Sequence, residues 1–153
     1  MRPAVAGRLG MDYEAVRRIN PRIIYLSAPG YGSYKAMESK PAFDPLLQSL
    51  SGAVLAQGGG RQPSLHTIPL NDAMTAALSA FGVAAALLHR LRTGEGQRVL
   101  CSLTATSLAI QAAEFTTWDG APEPAEGGPA FAGPSPTERW YATAGDRRLF
   151  VDA

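Results

Sequence analysis

Residues 70–100 read LNDAMTAALSAFGVAAALLHRLRTGEGQRVL, and this stretch decides the fold. No side chain in residues 73–88 carries a formal charge, and the run is rich in alanine and leucine, which favour helix. Gly94 and Gly96 follow the last apolar turn, where helices commonly end. The pattern predicts a helix over about 71–92. Its apolar run falls just short of a membrane span and is mostly alanine, so we expect a helix buried inside protein.

The segments on both sides alternate between helical and extended patterns. The patterns predict helices over 11–20, 43–52 and from about 104 to 118, strands over 22–28 and 97–103, and a hairpin over 139–153 that turns at 144–146. A proline- and glycine-rich loop or linker is expected between them over 120–136. This order of elements is typical of an α/β protein. Neither end of the chain resembles a natural domain boundary, so a partial chain is expected.

Composition narrows the possible functions. The chain has 153 residues, 18% of them charged, and a net charge of +1, so it lacks the basic surface that nucleic-acid binding requires. The one cysteine, Cys101, excludes an internal disulfide framework and fits a reducing compartment. The first ten residues lack the apolar core of a secretory signal. We therefore expect a cytoplasmic protein with neither a nucleic-acid nor a membrane partner.

Asp72 stands directly before the uncharged run. Asn71 or Asp72 could cap the helix by accepting hydrogen bonds from its first free amides. The same position suits a carboxylate nucleophile, because those amides and the helix dipole would keep the carboxylate ionised. Small neighbours such as Ala73 and Ala76 leave room for a substrate. Spacing alone leaves both interpretations open.

Other local patterns do not indicate a catalytic or ligand-binding site by themselves. The glycine-rich stretches 29–34 and 57–62 match neither the Walker phosphate loop nor the dinucleotide fingerprint, and such stretches are usually turns. His66 and His89 have no cysteine or glutamate at metal-ligand spacing, so no metal site is predicted. Cys101 is interpreted as an apolar residue in a buried strand. A Ser-His-Asp triad stays open, although no G-x-S-x-G elbow occurs.

The order of three long segments resembles the family III CoA-transferases. RPAVAGRLGMDYEAVRRINPRIIYLSAPGYG, PAFDPLLQSLSG and NDAMTAALSAFGVAAALLHRLRTGEGQRV follow one another as in that family, also called CaiB/BaiF. The family includes formyl-CoA and carnitine-CoA transferases and the α-methylacyl-CoA racemases. The resemblance covers roughly residues 2–118 and, more weakly, 139–153. It implies part of a Rossmann-like large α/β domain.

The resemblance also implies a mechanism. The family nucleophile is an aspartate at the head of the helix before the R-x-x-T-G-x-G-Q turn, which here is Asp72. Its carboxylate would attack an acyl-CoA thioester and form an acyl-aspartyl anhydride, and CoA thiolate would convert this to an aspartyl-CoA thioester. An acceptor carboxylate would then reverse these steps. CoA would act as a substrate, with no permanently bound cofactor.

Further roles follow from the resemblance. Arg8 matches a basic position near the CoA phosphates, and residues 40–44 match a segment lining the pantetheine channel. That segment contains Lys40, Pro41, Ala42, Phe43 and Asp44. Gly58, Gly59 and Gly60 match a loop near the active site that could close over substrate. The racemase branch has a proton-transferring histidine at the position of Phe43, and a phenyl ring cannot exchange a proton, so racemase activity is disfavoured.

This sequence also departs from the family pattern. Leu100 and Ala105 stand where acidic residues are common, and family chains are more than twice as long.

The resemblance and the order of elements predict three regions: 1–118 as the central part of the large domain, 119–137 as a linker, and 138–153 as a hairpin leading toward the small domain. Family members form interlocked dimers, so a homodimer or a complementary chain is expected. The alternative is a truncated, catalytically inactive member that serves only in folding or assembly.

Overall fold

The computed structural model describes residues 3–60, 62–124 and 127–153. These residues form helices and strands in a mixed order. The helices are α1 (Pro3–Arg8), α2 (Tyr13–Ile19), α3 (Asp44–Leu50), α4 (Ala53–Gln57), α5 (Leu70–Thr93), α6 (Leu103–Ile110) and α7 (Ala112–Phe115). The strands are β1 (Ile24–Ser27), β2 (Gln97–Leu100), β3 (Glu138–Ala142) and β4 (Arg148–Asp152). Residues 1, 2, 61, 125 and 126, which fall within predicted segments, lie outside the described part.

A parallel strand pair forms the centre of the fold. β1 and β2 pair in register from Ile24 opposite Gln97 to Ser27 opposite Leu100, and α3, α4 and α5 make the crossover between them. Parallel strands require such a long helical connection. α5 packs against both strands, and Gly82 permits its approach because a Cβ there would lie 2.7 Å from Val99 Cγ1. The predicted α/β class is confirmed.

The turn between α5 and β2 explains the spacing of its two glycines. Gly94 ends α5 in the left-handed conformation, with φ 81°, which suits a residue without a side chain. Gly96 follows at a close backbone approach, where its amide donates to Pro21 O at 3.1 Å. A Cβ on Gly96 would collide with the Ile23 carbonyl oxygen and the Arg22 carbonyl carbon. The two glycines therefore bring the end of α5 against the start of β1.

The loop after β1 is held by the first turn of α6. The Thr104 amide and hydroxyl both donate to Gly30 O, at 2.9 and 2.8 Å. Tyr31 is buried, and its hydroxyl donates to Pro41 O at 3.0 Å. A Cβ on Gly30 would collide with Ala42 Cβ. The segment 29–32 is thus fixed between α6 and the segment that precedes α3.

The environment of α5 differs from the prediction of a buried helix. Its inner face is polar and carries buried Asn71, Thr75 and Ser79, whose Nδ2, Oγ1 and Oγ atoms have no hydrogen-bond partner among the described residues. Its outer face is apolar, with Phe81 74% and Leu91 83% exposed. The prediction is wrong because β1, β2, α3 and α6 cover one side of α5, and no other described element covers the opposite side.

The same helix is also longer than its uncharged run. α5 has 24 residues and is long and apolar enough to cross a membrane by length and composition alone, whereas the uncharged run of residues 73–88 within it is shorter than a span. Its charged last turn, with Arg90 and Arg92, extends the helix beyond the uncharged run. A core helix of a soluble protein passes the same test.

Three local details depart from the sequence prediction. The short helix α1 was not predicted, because six residues that include Gly7 have weak intrinsic helix propensity. The helix expected to continue to residue 118 ends at Phe115 and is interrupted at Gln111, which caps α6. Cys101 lies just after β2 and is partly exposed, not buried within the strand.

The predicted N-cap of α2 is confirmed, since Asp12 Oδ1 accepts from the Ala15 amide at 2.9 Å.

At the end of the chain, β3 and β4 pair antiparallel. Their register runs from Glu138 opposite Asp152 to Ala142 opposite Arg148. Trp140 faces Phe150 across the pair, with ring centroids 5.1 Å apart. Such aromatic cross-strand pairs stabilise a two-stranded hairpin. The division of the chain into domains stays a prediction.

Candidate active site around Asp72

Asp72 lies in the first turn of α5, but it is not the residue that caps the helix. α5 begins at Leu70, and the flanking residue Pro69 makes no side-chain cap hydrogen bond. The prediction that Asn71 or Asp72 caps this helix is therefore wrong. Both residues lie inside the helix, where their backbone geometry is helical. The Asp72 carboxylate is consequently not used as a local cap.

A distant carboxylate supplies the cap instead. Asp44, the first residue of α3, accepts a hydrogen bond from the Asp72 backbone amide through Oδ2 at 3.0 Å. Its Oδ1 accepts a hydrogen bond from Gln48 Nε2. Gln48 Oε1 in turn accepts from the His66 amide at 2.9 Å. Asp44 and Gln48 are only 2% and 1% exposed. Side chains on α3 therefore hold both the start of α5 and the loop that leads into it.

The electrostatics at Asp72 also differ from the prediction. Partial burial raises the pKa of the Asp72 carboxyl above its usual value of 3.8, and the nearby Asp44 carboxylate raises this pKa further. The sequence interpretation expected the helix amides to favour the ionised form. The Asp72 amide is instead bonded to Asp44, whose negative charge opposes a second negative charge nearby. A carboxylate of raised basicity is a stronger nucleophile once it is ionised.

This raised pKa predicts that Asp72→Asn stabilises the fold at neutral pH. The native state binds the Asp72 proton more tightly than the unfolded chain, so stability falls as the pH rises from 3.8 through the native pKa. Removing the charge abolishes that loss of stability. We expect the free energy of unfolding to rise by up to about 1 kcal/mol at pH 7, because interactions between partly exposed charges are of this size. Urea unfolding of both forms at pH 3.5 and pH 7 measures it.

The exposed Asp119→Asn serves as the control for this prediction, since it also removes one negative charge. Asp119→Asn should leave unchanged the difference in the free energy of unfolding between pH 3.5 and pH 7. An Asp72→Asn variant that is no more stable than the natural chain at pH 7, or whose gain persists at pH 3.5, would contradict the assignment.

Asp72 lies at an apolar cavity of about 560 Å³. The cavity is an open groove that runs along α5 and is bordered by residues from the end of β1 and the start of α6. Its lining residues are Leu26, Ala28, Asp72, Thr75, Ala76, Ser79, Ala80, Val83 and Leu103. Asp72 is the one charged residue among these described lining residues. The cavity thus joins a carboxylate to a space suited to an uncharged group.

A second cleft, of about 420 Å³, adjoins this cavity. The two share Ala28 and Leu103 as walls. The second cleft is further lined by the loop after β1 and by Lys40, Pro41 and Ala42. Clefts at the carboxyl ends of parallel strands are the usual ligand sites of α/β sheets. The structure therefore brings part of the predicted pantetheine segment next to the cavity that contains Asp72.

The other predicted site residues lie elsewhere. Phe43 is the exposed N-cap residue of α3, and Asp44 points inward to the helix α5, so neither lines the second cleft. Arg8 is exposed in the last turn of α1 and lines neither the cavity nor the cleft. Gly58, Gly59 and Gly60 follow α4, where Gly58 and Gly59 approach Gly127 and Gly128. Their roles stay predictions.

Sequence reasoning missed the role of Asp44 and Gln48. The sequence predicted that a helix begins near Asp44, because Pro45 follows it directly. No local pattern indicates that Asp44 bonds a residue 28 positions later in the chain. The described residues contain no group of three or more histidine, cysteine, aspartate or glutamate side chains placed to hold a metal ion.

Comparison with known proteins decides the family. The family model described as CoA-transferase family III matches residues 1–153. The chain belongs to this family. Acetyl-CoA:oxalate CoA-transferase from Acetobacter aceti is 34% identical over 119 residues, which cover 76% of this chain and 31% of that protein. Succinyl-CoA:mesaconate CoA-transferase from Haloarcula hispanica is 40% identical over 92 residues, which cover 57% of this chain and 23% of that protein.

The solved structures agree on the fold. A CaiB/BaiF family protein from Brucella suis superposes with a TM-score of 0.78 over 99% of this chain and 40% of its own, at 22% identity. The predicted CaiB/BaiF fold is confirmed. The family III chain described here spans about a quarter to a third of the length of the curated relatives it matches.

Proposed function

We propose that this family III chain carries the nucleophile of a CoA-transferase, which moves CoA between an acyl-CoA thioester and a free carboxylate. The observation that supports this most strongly is the position of Asp72. Its side chain lines an apolar cavity that shares two walls with a cleft formed in part by Lys40, Pro41 and Ala42. The pantetheine arm would lie in the cleft and the acyl group in the cavity.

The proposed reaction proceeds through two kinds of covalent intermediate. A carboxylate oxygen of Asp72 attacks the thioester carbonyl carbon and the carbon–sulfur bond breaks. CoA thiolate is released, and an acyl-aspartyl anhydride is formed. The thiolate then attacks the aspartyl carbonyl carbon of the anhydride, the bond from that carbon to the bridging oxygen breaks, and the first carboxylate is released as an aspartyl-CoA thioester forms. The acceptor carboxylate repeats these steps in reverse, which restores Asp72. Division into easier steps is the usual gain from a covalent nucleophile.

The names of the relatives indicate the substrate class. The two similar proteins are named for acetyl-CoA with oxalate and for succinyl-CoA with mesaconate. Both names pair an acyl-CoA with a carboxylic acid, and we extend that class to this chain. Racemisation is disfavoured because the phenyl ring of Phe43 cannot transfer a proton. CoA enters as a substrate, and no permanently bound cofactor is proposed.

Three further roles complete the proposal. Arg8 would bind CoA phosphates through its guanidinium, and Gly58, Gly59 and Gly60 would supply a loop near the substrate. A homodimer or a complementary chain would cover the exposed apolar face of α5, which includes Phe81 and Leu91. We place the protein in the cytoplasm, without nucleic-acid or membrane partners.

A second candidate is a non-catalytic family member that acts in folding or assembly. It is favoured by the exposed apolar face of α5. Such a module would associate with a partner but transfer no CoA. CoA binding and covalent modification of Asp72 separate the two candidates.

Isotope exchange tests the proposed activity. The full chain is incubated with acetyl-CoA or succinyl-CoA and with carbon-13-labelled acetate, oxalate or succinate, and the acyl-CoA products are followed by mass spectrometry. A CoA-transferase produces labelled acyl-CoA at a rate that is proportional to protein concentration. A chain that binds CoA without exchanging label supports the assembly module instead.

A further inference from the structure

We propose that Asp44 is a positioning residue for the nucleophile and that Gln48 is the residue that holds Asp44 in place. This inference rests on the proposed function of Asp72 and differs from the pantetheine contact that the family resemblance implied for Asp44. It arises from one buried pair of side chains on α3 and from the two segments that these side chains join.

The first observation is that each oxygen of the Asp44 carboxylate accepts a hydrogen bond from a protein donor. One oxygen accepts from the Asp72 amide at 3.0 Å and the other from Gln48 Nε2. Burial of a carboxylate is costly unless hydrogen bonds or opposite charge compensate it. The free amides and positive end of the α5 dipole provide that compensation. An occupied and buried carboxylate is better suited to hold protein backbone than to contact a ligand.

The second observation is that Gln48 fastens the chain entering α5. Its Oε1 accepts from the His66 amide at 2.9 Å, and its Nε2 lies 3.3 Å from His66 O. Residues 62–69 contain no helix or strand, so their backbone is not fixed by regular structure. Pro69, the residue before α5, supplies no side-chain cap. Asp44 and Gln48 therefore take over the function that a local N-cap residue normally has.

The consequence is that a side chain from α3 bonds the helical turn from which the nucleophile projects. Asp44 bonds the amide of Asp72 itself, not that of a neighbour. A displacement of about 1 Å at a reacting group can lower a rate about 100-fold. Loss of the Asp44 bond should consequently slow acylation of Asp72 while CoA binding is retained, since Asp44 lines neither the cavity nor the second cleft.

The test compares four forms of the full chain: the natural sequence, Asp44→Ala, Asp44→Asn, and Asp44→Asn combined with Gln48→Glu. In the single Asp44→Asn variant, an amide nitrogen would face the Gln48 donor. In the double variant, the amide at position 44 accepts from Asp72 and donates to the carboxylate at position 48, which also accepts from His66. Ser49→Ala is the matched control, since Ser49 lies on α3 but is exposed, and its hydroxyl donates to Pro45 O.

Three quantities are measured: hydrogen exchange at the Asp72 amide, the rate of label exchange at saturating acyl-CoA, and the dissociation constant for CoA alone. We expect Asp44→Ala to speed amide exchange about fivefold, the size of a lost cap, and to slow transfer about 10- to 100-fold. The CoA dissociation constant should stay within about twofold. Relative to Asp44→Asn, the double variant should recover part of the amide protection and part of the transfer rate, because a carboxylate at position 48 keeps the bond from the His66 amide but loses the donor to His66 O. Ser49→Ala should change none of the three quantities.

Unchanged amide exchange at Asp72 in Asp44→Ala overturns the inference, and so does a weaker CoA affinity with an unchanged saturated rate. A natural chain without label exchange counts against the proposed function alone. In that case amide exchange still decides whether Asp44 and Gln48 hold Asp72, and recovery in the double variant supports the inference even if Asp44→Ala fails to fold.

Discussion

Replacing Asp72 by alanine is expected to abolish CoA transfer by this chain. The substitution removes the only group proposed to form the anhydride and the aspartyl-CoA thioester. Loss of a covalent nucleophile lowers turnover by about 10⁴-fold or more in well-studied enzymes. The label-exchange assay measures the effect, and CoA binding should survive because the second cleft does not include Asp72.

Asp119→Ala is the control for Asp72→Ala, since it removes an exposed carboxylate from the loop after α7. It should leave transfer unchanged. If Asp72→Ala keeps more than about a tenth of the natural rate while its circular dichroism is unaltered, Asp72 is not the nucleophile.

Gly96→Ala is expected to give the largest loss of stability among glycine substitutions in the G-x-G turn. The added methyl group would collide with the backbone of Arg22 and Ile23, at the point where the end of α5 meets the start of β1. Overpacking of this kind typically costs about 1–3 kcal/mol, and rigid backbone atoms cannot move aside cheaply. The free energy of unfolding from urea titration measures the change.

Gly7→Ala is the matched control for Gly96→Ala. Gly7 lies in α1, and a Cβ there would contact only Asp12 Oδ2 at 3.8 Å. Alanine also has the higher helix propensity by about 1 kcal/mol, so this variant should be as stable as the natural chain or more so. Equal stabilities of the two variants would show that the close approach at Gly96 does not constrain the fold.

Local sequence patterns predicted the elements that frame the site. The uncharged run and its two glycines predicted the long helix to within a residue or two of Leu70–Thr93. The β-branched and aromatic residues around Tyr25 predicted β1, and Asp12 predicted the start of α2. Each signal lies within one turn or strand of the element that it defines. Interactions between residues close in sequence were therefore sufficient to predict α5, β1 and the start of α2.

The arrangement around Asp72 could not be predicted in the same way. The cap on α5 comes from Asp44, which is close to Asp72 only after the chain has folded. Partial burial raises the pKa of the Asp72 carboxyl and the Asp44 carboxylate raises it further, so the helix-dipole expectation had the wrong sign. The exposed face of α5 was also missed, because an apolar run does not indicate which of its sides other elements cover.

The most direct test of the proposed function is chemical trapping of Asp72. The full chain is incubated with acetyl-CoA or succinyl-CoA, then treated with hydroxylamine, which converts an aspartyl thioester or anhydride to a stable hydroxamate. Intact-mass analysis and peptide mapping locate the modification. We predict a hydroxamate on Asp72 that requires acyl-CoA and is lost in Asp72→Ala. A chain that binds CoA but stays unmodified, or that is modified at another carboxylate, would contradict the role of Asp72 as nucleophile.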